Sequence, residues 1–297
     1  MVSIEKKQVN KKTYYYLEQS YRKDGQVHKK TKYLGAALPK NLETLKSDFL
    51  TEYYKETWFP FFDEIKTTYA RERRTFPSAI AQKDLQQFAT TFTYATNRIE
   101  GSTLTLKETA DLLEHGLSPL RRPLEDVKEA ETHKAVFLEM LHYQKELNLS
   151  TILHWHKNLF SQTKEKDAGT IRSYQVGISG STYKPPYPVE LDFLLHEFFN
   201  WYRSNKRTMH PVRLAALAHL KLVTIHPFGD GNGRVSRLLM NYILQNHGYP
   251  MLIIDYAQRK SYYTALEHSQ LKKDDSVFVV WFFKRYLKEY KQYIKKV

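Results

Sequence analysis

The sequence predicts an all-α protein with a β-hairpin among its helices and a small β-meander at its N-terminus. Three observations predict it. From residue 39 onward, apolar residues recur mainly at helical spacing. The stretch from Ala168 to Pro188 is too rich in glycine, and too firmly bounded by proline, to be helical. The first 35 residues instead gather β-forming residues around a turn signal. The chain is accordingly read as a basic β-meander (1–35), a helical connecting segment (36–76) and a main helical domain (77–297).

Residues Thr13 to Tyr21 form the clearest strand of the meander. Asp24-Gly25 marks a hairpin turn, a second strand runs from Val27 to Leu34 and ends at Gly35, and Val2 to Lys7 adds a third. Such a sheet is too thin to be stable alone and is expected to pack on the main domain. Its lysines alternate with tyrosines, an arrangement that can clasp single-stranded nucleic acid. Tyrosines on a half-buried sheet face explain the same pattern, and packing is the preferred reading. From Pro39 to Thr75 the pattern is helical, with Phe49, Tyr53, Tyr54, Trp58, Phe59, Phe61 and Phe62 as core candidates and a kink or stop at Pro60.

Ser78 is placed to cap the next helix, which runs to Gly101. Thr105-Leu-Lys-Glu108 is a capping box opening a helix that stops at Gly116. Pro123, followed by Glu125 and Asp126, starts a long helix to about Leu147. Ser150 caps another, on which His154 and His156 point to different faces and so do not chelate a metal together. The stretch 168–188 is expected as a hairpin or an ordered loop, and Val189 to Tyr202 as an amphipathic helix. A terminal basic helix from about Asp275 turns Val279, Phe282, Phe283 and Tyr286 inward.

The 297 residues suffice for one large or two modest domains. With no cysteine there are no disulfides or thiolate metal sites, which fits a reducing cytoplasm. No apolar run is long enough to span a bilayer and no export signal is visible, so no membrane partner is expected. The net charge of +14 concentrates at the ends, with nine Lys/Arg against three acids in residues 1–35 and six against one from Lys284 to Lys296. Basic ends favour acidic partners, nucleic acid among them, although solvated surface lysines explain them as well.

The most informative stretch is His226-Pro-Phe-Gly-Asp-Gly-Asn-Gly-Arg-Val-Ser-Arg237. An apolar helix opened by Pro211 precedes it and ends at Pro227, and a second helix follows, closed by Gly248 and Pro250. Gly229, Gly231 and Gly233 let the loop turn its amides inward at a helix N-terminus, which makes an anion nest. Arg234 and Arg237, three apart, can fork onto phosphate oxygens. Asp230 is a hard oxygen ligand of the kind that holds Mg²⁺ beside phosphates, and His226 suits a general base near neutrality. These parts describe a site for phosphoryl or nucleotidyl transfer. A glycine-rich helix connection with His226 as a core cap leaves the Asp, the Asn and both Arg unexplained.

The run matches, position for position, the His-x-Phe-x-Asp-Gly-Asn-Gly-Arg-x-x-Arg motif of the Fic family, which it resembles from about residue 77 to the C-terminus. The resemblance implies a Fic helical bundle that transfers AMP from ATP to a Ser, Thr or Tyr hydroxyl of a target protein. It implies His226 as base, Asp230 on Mg²⁺, and Gly231, Asn232, Gly233, Arg234 and Arg237 on the phosphates. Thr96-Asn-Arg-Ile-Glu-Gly101 resembles the family's inhibitory motif, in which Glu100 pairs with Arg237 and blocks the γ-phosphate; in some relatives this glutamate also supports AMP removal. Gly169-Thr-Ile-Arg172 opens a stretch resembling the flap, whose edge holds the target's chain. Met251 to Gln270 resembles the adenosine side, with Tyr262 and Tyr263 against the base; Gln270 stands where relatives often carry Asn. The expected partners are ATP and the target protein, with a homodimer left open. The competing functions are transfer of another group, such as UMP or phosphate, and nucleic-acid binding through the basic ends.

Overall fold

Why the chain alternates short caps with long helices is clearest in the computed structural model, which describes residues 2–23 and 25–295. Asp24 of the expected turn and Lys296 of the basic tail lie outside the described residues. Eleven α-helices and one three-stranded antiparallel sheet are present among them. The chain divides into two compact units, residues 1–64 and 65–297.

In the first unit, β1 (Ser3–Val9), β2 (Lys12–Lys23) and β3 (Gln26–Gly35) form a meander, followed by α1 (Leu42–Thr57). The β1–β2 turn is Asn10-Lys11, with φ of 50° and 61°, the left-handed pair that a two-residue hairpin demands. Strand alternation sends Leu17 into the core, while the Tyr21 ring lies 5.6 Å from Tyr53 of α1 and Lys30 pairs with Glu56 at 2.5 Å. On the other face the Tyr33 ring sits 6.1 Å from Tyr14 and 5.3 Å from Tyr16. The helix thus covers one side of a sheet that has too few strands to stand alone.

The division falls within α2 (Phe59–Arg74), so residues 36–76, read as one connecting segment, contribute to both units. Pro60 is the second residue of α2, where its missing N–H has no helical partner to lose. The second unit continues with α3 (Ser78–Ile99), α4 (Leu106–His115), α5 (Leu124–Leu141), α6 (Leu149–Phe160), α7 (Leu191–Asn205), α8 (Pro211–Ile225), α9 (Asn232–Asn246), α10 (Arg259–Lys272) and α11 (Ser276–Glu289). At its centre α8 and α9 lie side by side, with α7 and α11 against α8, and α3, α5 and α6 against α9. Both are buried nearly all round: Leu214, Ala215, Ala218, Leu238, Leu239 and Ile243 are fully buried. Each buried Leu or Ile contributes roughly 1.5–3 kcal/mol, so the connection between α8 and α9 is held by the firmest part of the molecule.

Several helix ends differ from expectation. The N-cap of α3 is Pro77, with Ser78 already helical, and that of α6 is Asn148, whose side chain accepts from Thr151 N–H, while Ser150 only donates to Asn148. α5 stops at Leu141 because His142 and Tyr143 tighten onto Glu139 and Met140 before Asn148 turns extended. The capping box at Thr105–Glu108 and the left-handed stop at Gly116 form as expected. The stretch 168–188 is an ordered loop; among the described residues no strand is assigned within it.

Candidate active site

His226 closes α8 in a left-handed conformation (φ 53°, ψ 56°), which costs on the order of 1–2 kcal/mol for a residue with a side chain. Burial in the α8–α9 hairpin holds it there. Its Nδ1 lies 3.2 Å from the carbonyl of Val223, a contact that requires the proton on Nδ1 and leaves Nε2 as the basic nitrogen. Burial pushes its pKa below the ordinary histidine value of 6.5, so the ring is neutral at neutral pH. The next four residues turn sharply, and the turn is stitched by Asn232: its Oδ1 accepts from Phe228 N–H at 2.9 Å and its Nδ2 donates to Phe228 carbonyl at 2.8 Å. The Asn232 side chain, expected on the phosphates, thus also braces the loop. Its amide oxygen and one of its two Nδ2 hydrogens serve the loop, which leaves the other hydrogen and its backbone N–H for an anion.

The amides of Asn232, Gly233 and Arg234 form the first turn of α9 and have no partner within the helix, as an anion nest requires. Of the three loop glycines, Gly231 alone has positive φ (81°), so Gly229 and Gly233 serve another purpose. A Cβ on Gly229 would overlap the Tyr174 hydroxyl, and one on Gly233 would overlap the Glu100 carboxylate. Gly231 combines both demands, since a Cβ there would also overlap the Phe160 ring. Gly231→Ala should therefore destabilise the domain by about 2 kcal/mol or more, seen as a lower denaturant midpoint. An unchanged midpoint would contradict this account of the loop.

Asp230 and the first arginine belong to a charged cluster that the sequence did not reveal. The Arg234 guanidinium is buried, stacks 4.4 Å over Phe160, pairs with Glu129, and donates to Asp230 Oδ2 at 3.1 Å. Lys164 adds ion pairs to Asp230 at 2.7 Å, Glu125 at 2.8 Å and Glu129 at 3.0 Å. Burial would raise the Asp230 pKa, but Arg234 and Lys164 outweigh it and hold it down at about 2. Arg234 was expected on the phosphates; in the structure its fork is taken up by these two acids. His156, stacked on Phe228 with ring centres 3.8 Å apart, links Gly169 N–H to the carbonyl of Asp230 and so fixes the loop's height. Burial lowers its pKa to about 4.

Arg237 is 1 % exposed and surrounded by acceptors. Its Nη2 donates to Glu100 Oε1 at 2.6 Å and to the Thr96 carbonyl at 3.2 Å, its Nε donates to the Thr96 hydroxyl, and its Nη1 lies 3.4 Å from the Tyr262 hydroxyl. Burial alone would weaken its charge, yet Glu100 opposite raises its pKa. Glu100 sits one residue past α3, where the chain turns back through Gly101 at φ 108° and delivers the carboxylate onto the first turn of α9. Tyr262 was expected against the base. It is buried beside Arg237, with its hydroxyl 2.9 Å from His219 Nε2. Tyr263 is partly exposed and donates to the Ile99 carbonyl at 3.3 Å, and Gln270 reaches Thr224 at 3.2 Å.

A cavity of about 730 Å³ brings together Glu100, His226, Asp230, Gly231, Asn232, Gly233, Arg237, Tyr262, Tyr263 and Gln270, with Gly177 to Ser181 of the loop on its rim. Of the site residues read from sequence, only Arg234 lies outside the lining. The loop is pinned from three sides. Arg172, 4 % exposed, donates to the carbonyls of His226, Tyr174 and Pro186 at 2.9, 2.9 and 2.7 Å. Glu267 of α10 accepts from Ser181 Oγ at 2.9 Å and Thr182 N–H at 2.6 Å, and Tyr183 donates to Thr224 carbonyl at 3.1 Å. Among the described residues no three His, Cys, Asp or Glu side chains gather to hold a metal by themselves. One carboxylate, Asp230, at an anion nest is the donor set that suits Mg²⁺ shared with phosphate oxygens.

The profile of the Fic/DOC family matches residues 146–244, which span α6 to α9 and the loop between. Protein adenylyltransferase Fic of Drosophila ananassae is 39% identical over 184 residues, covering 59% of this chain and 35% of that protein. The Drosophila melanogaster protein of the same name is 38% identical over 179 residues, 57% of this chain and 35% of the relative. The chain thus spans about a third of the length of these curated relatives. A Fic domain-containing signaling protein from Bacteroides thetaiotaomicron superposes with a TM-score of 0.70 at 25% identity, over 77% of this chain and 95% of that one. Fic-1 from C. elegans superposes with a TM-score of 0.70 at 26% identity, over 86% and 77%. The motif lies in this matched segment, while the cavity also draws on residues 99–101 and 259–270 outside it; residues 146–244 are the part of the chain that matches the Fic/DOC family.

Proposed function

We propose that the chain is a protein adenylyltransferase that moves AMP from ATP to a Ser, Thr or Tyr hydroxyl of a target protein, and that Glu100 holds it off. The observation that carries this reading is the sharing of one cavity by the basic Nε2 of neutral His226 and the first-turn amides of α9. His226 takes the hydroxyl proton as the oxygen attacks the α-phosphorus; the bond to the β-phosphate oxygen breaks and pyrophosphate leaves. The α9 amides hold the phosphates, and Arg237, once free of Glu100, stands by the distal charge. Asp230 would hold Mg²⁺, which when bound neutralises charge on the phosphates. The rim 177–181, with backbone exposed beside the cavity, supports the placement of the target's chain there by strand addition.

The names of the curated relatives support the adenylyl group. No helix among the described residues is long and apolar enough to cross a membrane, and the absence of cysteine supports the cytoplasm as the place of action. For the N-terminal sheet we favour packing over nucleic-acid binding, because Tyr14, Tyr15 and Tyr16 are half-buried and Lys29 and Lys30 are engaged by Glu18 and Glu56. A panel of nucleoside triphosphates, each labelled on the α-phosphate, tests the donor. ATP should label protein at least tenfold better than UTP; preferential labelling from UTP would overturn the adenylyl reading.

A further inference from the structure

Both oxygens of Asp230 already accept hydrogen bonds. Oδ1 accepts from Gly231 N–H at 2.5 Å, and Oδ2 accepts from Lys164 Nζ at 2.7 Å and from Arg234 at 3.1 Å. A cation that takes Oδ2 must displace a donor, since two already crowd that oxygen, and one that approaches Oδ1 still meets the Lys164 charge. The Gly231 amide is fixed by the α9 turn, and the Arg234 side chain is 4% exposed and tied to Glu129. Lys164 differs from both. Its side chain is 30% exposed, its ammonium sits on a flexible stem, and Glu125 at 2.8 Å and Glu129 at 3.0 Å can keep it when Asp230 lets go. Burial works against its charge, yet the three surrounding acids raise its pKa, so it is a full cation at neutral pH.

We propose that Lys164 is a built-in competitor for the divalent cation at Asp230. Its ammonium neutralises the carboxylate until a metal that shares its charge with nucleotide phosphates displaces it onto Glu125 and Glu129. The proposal rests on the reading of Asp230 as the metal ligand. Its consequence is that the nucleotide-free protein binds the metal weakly, so that metal and nucleotide load together. Lys164 acts as a positioning residue and touches neither substrate nor reacting atoms.

The test is a titration of Mn²⁺ into the full chain without nucleotide, with free Mn²⁺ read by electron paramagnetic resonance. Lys164→Met and Lys164→Gln, both checked for folding by circular dichroism, should bind Mn²⁺ roughly threefold tighter or more, as expected on removal of one partly screened charge pair. Lys164→Arg, which keeps the charge, should stay near wild type. Wild-type or weaker affinity in both neutral variants would overturn the competition, because Lys164 would then only brace the loop. Asp230→Asn separates this failure from that of the underlying reading. If it binds Mn²⁺ as wild type does, the metal lies elsewhere, and the competition falls for that reason.

Discussion

His226→Ala should lower AMP transfer by roughly 10²- to 10⁴-fold, the usual contribution of a positioned general base, while nucleotide affinity stays close to wild type. The two readouts separate on the proposed roles, in which His226 moves a proton and the α9 amides hold the phosphates. Fluorescence titration with an ATP analogue and a labelling rate give both. Transfer at near wild-type rate would remove His226 from the role of base. The pH profile adds a sign. Burial lowers the His226 pKa, so the unprotonated ring persists below pH 6.5 and the acid limb of the rate profile should fall below that value. An acid limb above it would mean that another group titrates.

Glu100→Gly should raise ATP-dependent self-labelling by roughly ten- to a hundredfold. The bond it removes joins a carboxylate to a guanidinium that is 1% exposed. A hydrogen bond of that kind contributes on the order of 1.5–3 kcal/mol, and about 1.4 kcal/mol corresponds to a factor of ten. Arg237 should keep its aim after the change, since Thr96 still accepts from its Nε and Nη2. Glycine also clears the space above Gly233, against which the carboxylate now rests. Combining Glu100→Gly with Arg237→Ala should abolish the gain, because activation, as proposed, depends on the freed guanidinium. A folded Glu100→Gly protein that labels at the wild-type level would make 96–101 an ordinary helix end.

What the sequence revealed depends on how far apart the interacting residues lie. The α8–α9 hairpin and its loop were legible because caps, glycines and charged residues fall within twelve positions. The link between Glu100 and Arg237 spans 137 residues and was legible only through the family resemblance of its short motif. No local pattern marks Glu129, Lys164, His156 or Arg172, which reach the loop from α5, α6 and the segment beyond. Glu129 and Lys164 looked like ordinary surface charges, and His156 was weighed only as a chelator. Nor did any local pattern show that Asn232 and Tyr262, expected on the ligand, hydrogen-bond to Phe228, His219 and Arg237. Polar side chains buried next to a site more often build it than touch what binds there. The exchange of Ser150 for Asn148 as a cap is smaller, a shift of two residues at a helix end.

The central claim is that the α-phosphoryl group with its nucleoside, and not the terminal phosphate, is what the cavity transfers. Two samples of Glu100→Gly protein, one given ATP labelled on the α-phosphate and one given ATP labelled on the γ-phosphate, decide it after denaturing gel separation. Label from the α position should stay on the protein and vanish when His226→Ala is added, while γ label should leave as pyrophosphate. Retention of γ label without α label would contradict the account and make the reaction phosphate transfer.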